Sequence, residues 1–303
     1  MKKRFLFFAF LSCFCISSNA QSFLTPADTL DKKRVIGVTA TGATLWVGST
    51  LALQHVWYSD FEKTKFHFFN DSHEWNQMDK MGHFYTANHF AGMVDDFYKW
   101  SGVNHKKSAL IAAGYSFGYL ATFEMFDAYN ATWGFSWADI GFNALGTLNY
   151  CTQAYLWDEQ FVHFKFSVQN SGLADYRPNL LGNDFASRTL KDYNGQTYWM
   201  SFNPFHWTKK ESKIPKWINL SLGYGINDQL IGDGGTYVVN NGSEQFSFTP
   251  YRQYYLSLDV DFQAIPTKSR LLKLLFRSLN VIKVPFPALE FSQGKLSFNP
   301  LYF

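Results

Sequence analysis

The chain carries three polar pairs at helical spacing in surroundings that are otherwise rich in aromatic and small residues. Their spacings are i,i+4, then i,i+3, then i,i+4, and the pairs are Asp79 with His83, Glu124 with Asp127, and Asp139 with Asn143. Each spacing places both members on one side of a helix. Because charged groups are costly to bury unless they are paired or coordinated, the pairs predict one shared polar cluster inside a helical bundle.

One interpretation of this cluster is an active site. His83 would act as a general acid or base, and Glu124 and Asp139 would be the other catalytic groups. The Lys80 ammonium would hold an anionic head group or a developing negative charge. The residues assigned to ligand binding are Asp79, Lys80, Asp127 and Asn143. Carboxylate-bridged metal bundles use a repeated Glu-x-x-His motif, which is absent here, so the sequence predicts no metal and no cofactor.

The other interpretation is structural. Asp79 would cap the second helix, where Asp is favoured. Asp139 would lie in the first turn of the fourth helix, where the helix dipole favours acids. Asn143 would hydrogen-bond across the bundle to Glu124. Buried polar networks of this kind fix helix register in some systems, so catalysis, ligand binding and architecture all stay open.

The sequence pattern changes from helical periodicity to strand periodicity near residue 160, and the predicted helices before this point must position the cluster. Helical periodicity predicts four helices, at residues 35–58, 79–100, 107–129 and 137–157. Period-two alternation then predicts antiparallel strands, which form either an open sheet or a small barrel. The expected fold is α+β, with a helical region at 21–158 and a β-rich region at 159–303. Within the β-rich region, residues 268–283 predict a basic amphipathic helix.

The first twenty residues predict a cleaved secretory signal. Lys2, Lys3 and Arg4 form a positive start, an apolar run follows, and small residues precede a cleavage site after Ala20. Removing this segment leaves Cys151 as the one cysteine, so no intramolecular disulfide is expected. It also removes three positive charges and no acid, which takes the formal charge of +3 to about zero. A near-neutral chain argues against nucleic acid as a partner.

Composition favours a membrane partner. Aromatic residues make up 19% of the chain and charged residues 17%, against about 25% charged in ordinary domains. Trp and Tyr concentrate at membrane interfaces, so membrane lipid is the expected partner, with a soluble aromatic-rich binding domain as the alternative. The first predicted helix is long enough to cross a bilayer. Its basic flank would lie outside the cytoplasm after signal cleavage, which argues against the inner membrane.

The polar motifs, taken in order, resemble the bacterial family of uncharacterised predicted periplasmic lipoproteins and, more distantly, VanZ-type membrane proteins. The motifs are D-K-x-x-H-F from Asp79, E-x-x-D from Glu124 and D-x-x-x-N-x-x-G from Asp139. This likeness covers residues 75–157, and the run 190–199 resembles longer versions from Bacteroidetes-type bacteria. The chain departs from the lipoprotein pattern because it has no convincing lipobox cysteine. The family has no established biochemical activity, so the resemblance implies an envelope location and no particular chemistry.

Together these observations predict an exported protein of the periplasm or outer membrane of a Gram-negative bacterium. The leading hypothesis is a non-enzymatic, outer-membrane-associated protein whose buried cluster organises the bundle or binds a small ligand or lipid head group. The rival hypothesis is an envelope enzyme that acts on a lipid or cell-wall intermediate. That enzyme would use His83 together with Glu124, Asp127 and Asp139.

Overall fold

A computed structural model describes residues 23–56, 58–206, 215–241 and 244–303. The predicted signal segment lies outside these residues. Four long helices come first: α1 (Lys32–Val56), α2 (Met78–Trp100), α3 (His105–Asp127) and α4 (Trp137–Trp157). Three short helices follow: α5 (Pro178–Leu181), α6 (Phe185–Lys191) and α7 (Arg270–Leu279). An antiparallel sheet occupies the second half, which confirms the α+β prediction.

The strands are β1 (Val162–Val168), β2 (Gln196–Phe202), β3 (Ile218–Asn227), β4 (Tyr237–Asn241), β5 (Glu244–Phe248), β6 (Tyr251–Val260), β7 (Phe286–Ser292) and β8 (Lys295–Tyr302). Six of them form one sheet in the order β1-β2-β3-β6-β7-β8, and β4 and β5 form a separate hairpin. The six-stranded sheet is not closed. It is nevertheless rolled, since the hydroxyl of Tyr302 on the edge strand β8 lies 3.0 Å from the hydroxyl of Thr197 on β2, the strand next to the opposite edge.

Local sequence signals explain where the helices of the bundle begin. Asn104 caps α3 by accepting the Lys107 amide, and Ser136 caps α4 by accepting the Asp139 amide. The prediction that Asp79 caps α2 is wrong. The cap position is Gln77, which has a φ of 67° and makes no side-chain capping bond, and Asp79 lies in the first turn. Trp75 and Asn76 form a left-handed turn directly before Gln77, and this turn fixes where α2 begins.

Small residues allow α2, α3 and α4 to approach one another closely. Ala87, Ala91, Ala112 and Ala154 are buried between them. At Gly146 of α4 the backbone of α2 comes so near that an added Cβ would overlap the Phe84 carbonyl. The polar cluster is therefore held by a tight three-helix core.

Helix α1 lies at the side of this core rather than within it. Trp46 makes edge contacts with the rings of Tyr115 and Tyr119 on α3, and the Ser49 hydroxyl is 2.9 Å from that of Tyr119. Among the described residues this is the one helix, over Lys32–His55, that is long and apolar enough to cross a membrane. None of its apolar window is buried.

The six-stranded sheet has polar residues on its buried face and apolar residues on much of its exposed face. Lys165 and Asp259 form a fully buried ion pair with an Nζ–Oδ2 distance of 2.7 Å. Trp199, Ser201 and Tyr255 are buried on the same face. On the opposite face, a cross-strand row of apolar residues is exposed to solvent: Leu222, Leu256, Leu289 and Phe298. At the β1 end the apolar face is covered by α2, where Phe84 contacts Phe164.

The predicted amphipathic helix is present as α7, at Arg270–Leu279, and its apolar face points away from the protein. Leu271 is 65% exposed and Leu275 is 48% exposed. Arg277 points inward, where its Nε lies 2.7 Å from Asp96 Oδ2 on α2. Helix α7 is thus attached to the bundle through its polar face.

Candidate functional site

The candidate site lies at the end of the bundle where α2 and α4 begin and α3 ends. At its centre is Lys80, whose side chain is 1% exposed. The Lys80 ammonium lies 2.6 Å from Asp71, 2.8 Å from Asp79 and 2.5 Å from Asp139. One cation thus joins α2, α4 and the segment that precedes α2. Because three carboxylates surround this ammonium, the geometry does not favour the expected role of Lys80 in holding an anion.

His83 lies one turn after Asp79 and contacts every helix of the three-helix core. Its Nε2 is 3.5 Å from Asp139 Oδ1 on α4, and its Nδ1 is 3.5 Å from Glu124 Oε1 on α3. Its Nδ1 is also 3.2 Å from Asn143 Oδ1, the shortest of these contacts. The His83 and Asp79 side chains are each 27% exposed, so these two groups are the parts of the site that solvent or a ligand can reach most easily.

Glu124 and Asp127 differ in their surroundings although they lie on the same face of α3. The Glu124 side chain is almost fully buried, and burial, followed by the nearby Asp139, raises its pKa to about 9. It is therefore neutral near pH 7. Asp127 accepts a hydrogen bond of 2.8 Å from the Tyr58 hydroxyl, and burial raises its pKa to about 6. Asp127 lies beside the cluster rather than against His83.

The two aspartates that contact His83 have opposite pKa shifts. Burial raises the pKa of Asp139 to about 7, despite the opposing charges of His83 and Lys80. Burial acts in the same direction on Asp79, but there His83 and Lys80 outweigh it and lower the pKa. Their combined negative charge raises the pKa of Lys80 against the effect of its burial. The site thus holds a permanent ammonium, an ionised Asp79 and carboxyl groups that retain protons unusually well.

The structure brings together six of the seven residues singled out from the sequence: Asp79, Lys80, His83, Glu124, Asp139 and Asn143. The expected bond from Asn143 to Glu124 is not formed. Asn143 contacts His83 instead, and its Nδ2 has no hydrogen-bond partner among the described residues.

Sequence reasoning missed three members of the network. Asp71 contacts Lys80 and accepts a hydrogen bond of 2.6 Å from the Ser136 hydroxyl. Tyr193 donates a hydrogen bond of 2.9 Å to Asp79 from the β-rich half of the chain. Asp71 lies in a loop and Tyr193 begins a single 3-10 turn, Tyr193–Gly195, so no periodicity marks either residue. Ser136 carried a signal, because a serine directly before a helix is a favoured cap.

The arrangement offers ligand atoms for a cation at Asp79, His83 and Asp139, all within 4.8 Å of one another. Two carboxylates and one imidazole are a donor set that several divalent metals accept. The Lys80 ammonium already contacts both carboxylates and supplies the positive charge that a metal would bring. The same groups also suit general acid and base chemistry, because His83 lies between two carboxyl groups of raised pKa.

The raised pKa of Glu124 gives a specific pH dependence. Between about pH 5 and pH 9 the folded state keeps a proton on Glu124 that the unfolded chain releases, so rising pH reduces stability. Glu124→Gln keeps the shape without an ionisable group. As pH rises, we expect the free energy of unfolding of this variant to increase relative to that of the native protein. The difference should reach on the order of a few kcal/mol at pH 9. Urea unfolding at pH 5, 7 and 9 measures the difference, and a pH-independent difference would contradict the prediction.

The fold and site define an α+β protein in which a three-helix core encloses a lysine, histidine and carboxylate cluster. Residues 67–159, which contain that cluster apart from Tyr193 and Tyr58, match the family described as "Predicted periplasmic lipoprotein (DUF2279)". This match supports the predicted family resemblance and an exported location, in the periplasm or at the outer membrane. The likeness to VanZ-type proteins and to longer Bacteroidetes-type versions stays a prediction. No curated protein and no solved structure matches the chain.

Proposed function

We propose that the protein is a non-enzymatic component of the cell envelope that sits against the outer membrane. In this proposal the polar cluster fixes the register of the bundle and offers a small polar site at its end. The observation that carries the membrane part is the exposed apolar face of the six-stranded sheet, to which the exposed leucines of α7 add a second apolar surface. The periplasmic description of the matching family is consistent with that location.

The sheet supports this proposal because its polarity is reversed relative to a soluble β-protein. Its enclosed side holds the Lys165–Asp259 ion pair, and its open side presents rows of leucine and phenylalanine. Apolar-out and polar-in alternation is typical of sheets that face lipid. Contiguous exposed apolar surface of this kind marks an interaction surface in soluble proteins as well.

Helix α7 adds a second apolar surface of the kind that lies in a lipid interface. Five leucines of α7 are exposed: Leu271, Leu272, Leu274, Leu275 and Leu279. The cations Arg270, Lys273 and Arg277 are on the same helix, which carries no acid. Leucines toward the acyl region and cations near the head groups are the usual features of an interfacial helix.

The end of the bundle near the cluster is also suited to a membrane interface. Phe66, Phe68 and Trp137 are exposed there and contact Phe135, forming an aromatic group next to the start of α4. Aromatic residues concentrate at the head-group level of membranes. Because the cluster has more carboxyl groups than cations, a head group reaching His83 would be a cation or a hydroxyl donor rather than a phosphate.

The membrane proposal predicts that the leucines of α7 contribute to lipid binding. Leu271→Asp combined with Leu275→Asp should weaken co-sedimentation with phosphatidylethanolamine and phosphatidylglycerol vesicles by about tenfold or more, since each buried leucine contributes roughly 1.5–3 kcal/mol. Phe185→Asp is the control, because Phe185 is exposed on α6, outside this surface. Recovery of the native protein in a periplasmic extract without detergent would remove the membrane part of the proposal.

The rival function is an envelope enzyme that acts on a lipid or cell-wall intermediate. The observation that favours it is the position of the accessible His83 between Glu124 and Asp139, at 3.5 Å from each. The variants His83→Ala and Glu124→Ala distinguish the two hypotheses, because each hypothesis predicts a different result for them. A structural cluster predicts a loss of about 1–3 kcal/mol of stability for each, because buried partners lose their contacts. An enzyme predicts a stable protein that fails to complement the cellular phenotype of a deletion.

A further inference from the structure

Three potential ligand atoms of the polar cluster converge on the side that His83 faces. His83 Nε2 lies 3.8 Å from Asp79 Oδ1 and 3.5 Å from Asp139 Oδ1, and one ligand atom of each residue lies within 4.8 Å of the other two. Both distances are longer than a hydrogen bond, which needs about 2.7–3.2 Å. Ligand atoms that bind one ion at about 2.0–2.2 Å lie roughly 3–3.6 Å apart, so this spacing is close to that around a single metal ion.

The second ring nitrogen of His83 determines which tautomer faces the two aspartates. Asn143 Oδ1 lies 3.2 Å from His83 Nδ1 and can only accept a hydrogen bond, so Nδ1 carries the proton. The Nε2 atom of the neutral ring then presents its lone pair to the two carboxylates. A histidine that binds a metal usually donates its other N–H to a carbonyl or carboxylate oxygen. Glu124 Oε1, at 3.5 Å from Nδ1, is a second oxygen of that kind.

The single ammonium of Lys80 does not balance the aspartates around it. Asp71, Asp79 and Asp139 share this one cation, so two negative charges remain when all three are ionised. Lys80 contacts Asp79 through Oδ2, whereas the oxygen that faces His83 is Oδ1. The oxygen of Asp139 that contacts Lys80 has a second lone pair, which a metal can use. An ion beside His83 is therefore compatible with Lys80 in its present place.

Asn143 gives an independent indication of a ligand at this point. Its side chain is fully buried, yet its Nδ2 has no hydrogen-bond partner among the described residues. A buried donor that stays unsatisfied costs about 1–3 kcal/mol, so this amide calls for an acceptor oxygen from a bound molecule. A water molecule on a metal ion beside His83 would supply that oxygen.

We propose that Asp79, His83 and Asp139 bind one divalent transition-metal ion, with Asn143 and Glu124 orienting the imidazole. Two carboxylates and one imidazole suit ions such as Zn²⁺ and Co²⁺. The absent Glu-x-x-His repeat is a feature of bundles that hold two bridged metals, and a single ion does not need it. The inference rests on the proposed function, because it names the ligand of the small polar site, and it is independent of the membrane part.

Isothermal titration of the untagged, metal-free protein with Zn²⁺ tests this site, and the visible absorption of Co²⁺ reports on the ligands. We expect one ion per chain. His83→Gln should weaken Zn²⁺ binding by about tenfold or more and change the Co²⁺ spectrum. His105→Gln is the matched control at the start of α3, at the opposite end of the bundle, and should bind as the native protein does. Asp79→Asn is a second ligand variant if His83→Gln does not fold.

Native affinity in folded His83→Gln and Asp79→Asn would overturn the assignment, and so would a native protein that binds neither ion. Neither result bears on the proposed function, which has its own measurements. Vesicle co-sedimentation without added metal tests the membrane part. The stability of metal-free His83→Ala tests whether the cluster organises the bundle.

Discussion

Gly146→Ala is expected to destabilise the protein by about 3 kcal/mol or to prevent folding, because overpacked cores lose this much when neighbours cannot move. The obstacle is the Phe84 carbonyl in the backbone of α2, and the Ala87 Cβ lies only 3.0 Å from the position of the new methyl group. Neither is the end of a flexible side chain. Separating α2 from α4 would also pull Lys80 away from Asp139.

The matched control for this variant is Gly141→Ala on the same helix. A Cβ at Gly141 meets nothing within 4 Å. Alanine there should stabilise the protein by up to about 1 kcal/mol, because glycine is the poorer helix former. Thermal unfolding followed by circular dichroism measures both variants. Shifts of the same sign and size would show that the close approach of α2 and α4 does not govern this core.

Lys80→Met is the second variant with a large expected effect. It keeps the length and apolar stem of the side chain but leaves Asp71, Asp79 and Asp139 without their shared cation. Removing one partner of a buried ion pair typically costs about 3–5 kcal/mol, since the remaining charge stays buried. We expect a loss in this range at pH 7, measured by urea unfolding. Lys107→Met, at an exposed position on α3, should change stability by less than about 0.5 kcal/mol.

A double-mutant cycle shows whether this loss comes from the carboxylates. Adding Asp139→Asn to Lys80→Met removes one of the uncompensated charges, so the double variant should be more stable than Lys80→Met alone. Lower pH should act in the same direction, because protonating the carboxyl groups removes their repulsion. A loss that is unchanged at pH 4 and unaffected by Asp139→Asn would point to packing around Lys80 as the cause.

The helices that hold the cluster were largely predictable from the sequence. Helical periodicity predicts helices at residues 79–100, 107–129 and 137–157, and the helices run over Met78–Trp100, His105–Asp127 and Trp137–Trp157. Two of these helices begin at N-cap residues that the sequence shows, Asn104 and Ser136. The side position of α1 was not predictable, because its apolar composition suits a bundle core and an exposed helix equally well.

The candidate site was predictable only where helical spacing marked it. Spacing correctly placed Asp79 with His83 and Asp139 with Asn143 on shared faces, and their convergence on Glu124 follows from the packing of three helices. One of the carboxylates that pairs with Lys80 is Asp71, which lies in a loop and carries no helical spacing signal. For this reason the sequence predicts an anion site at Lys80, whereas the structure has an internal ion cluster there. Tyr193 comes from 114 residues beyond Asp79, and no local pattern connects them.

The reversed polarity of the six-stranded sheet has a consequence for how this half of the chain reaches its native state. Hydrophobic collapse in water would turn the leucines of β6 inward, and a shift of one residue in register is enough to do so. Refolding in plain buffer should therefore give non-native, aggregating sheet, and added detergent micelles or vesicles should increase the native yield. For this half of the molecule the solvent selects which face becomes the interior.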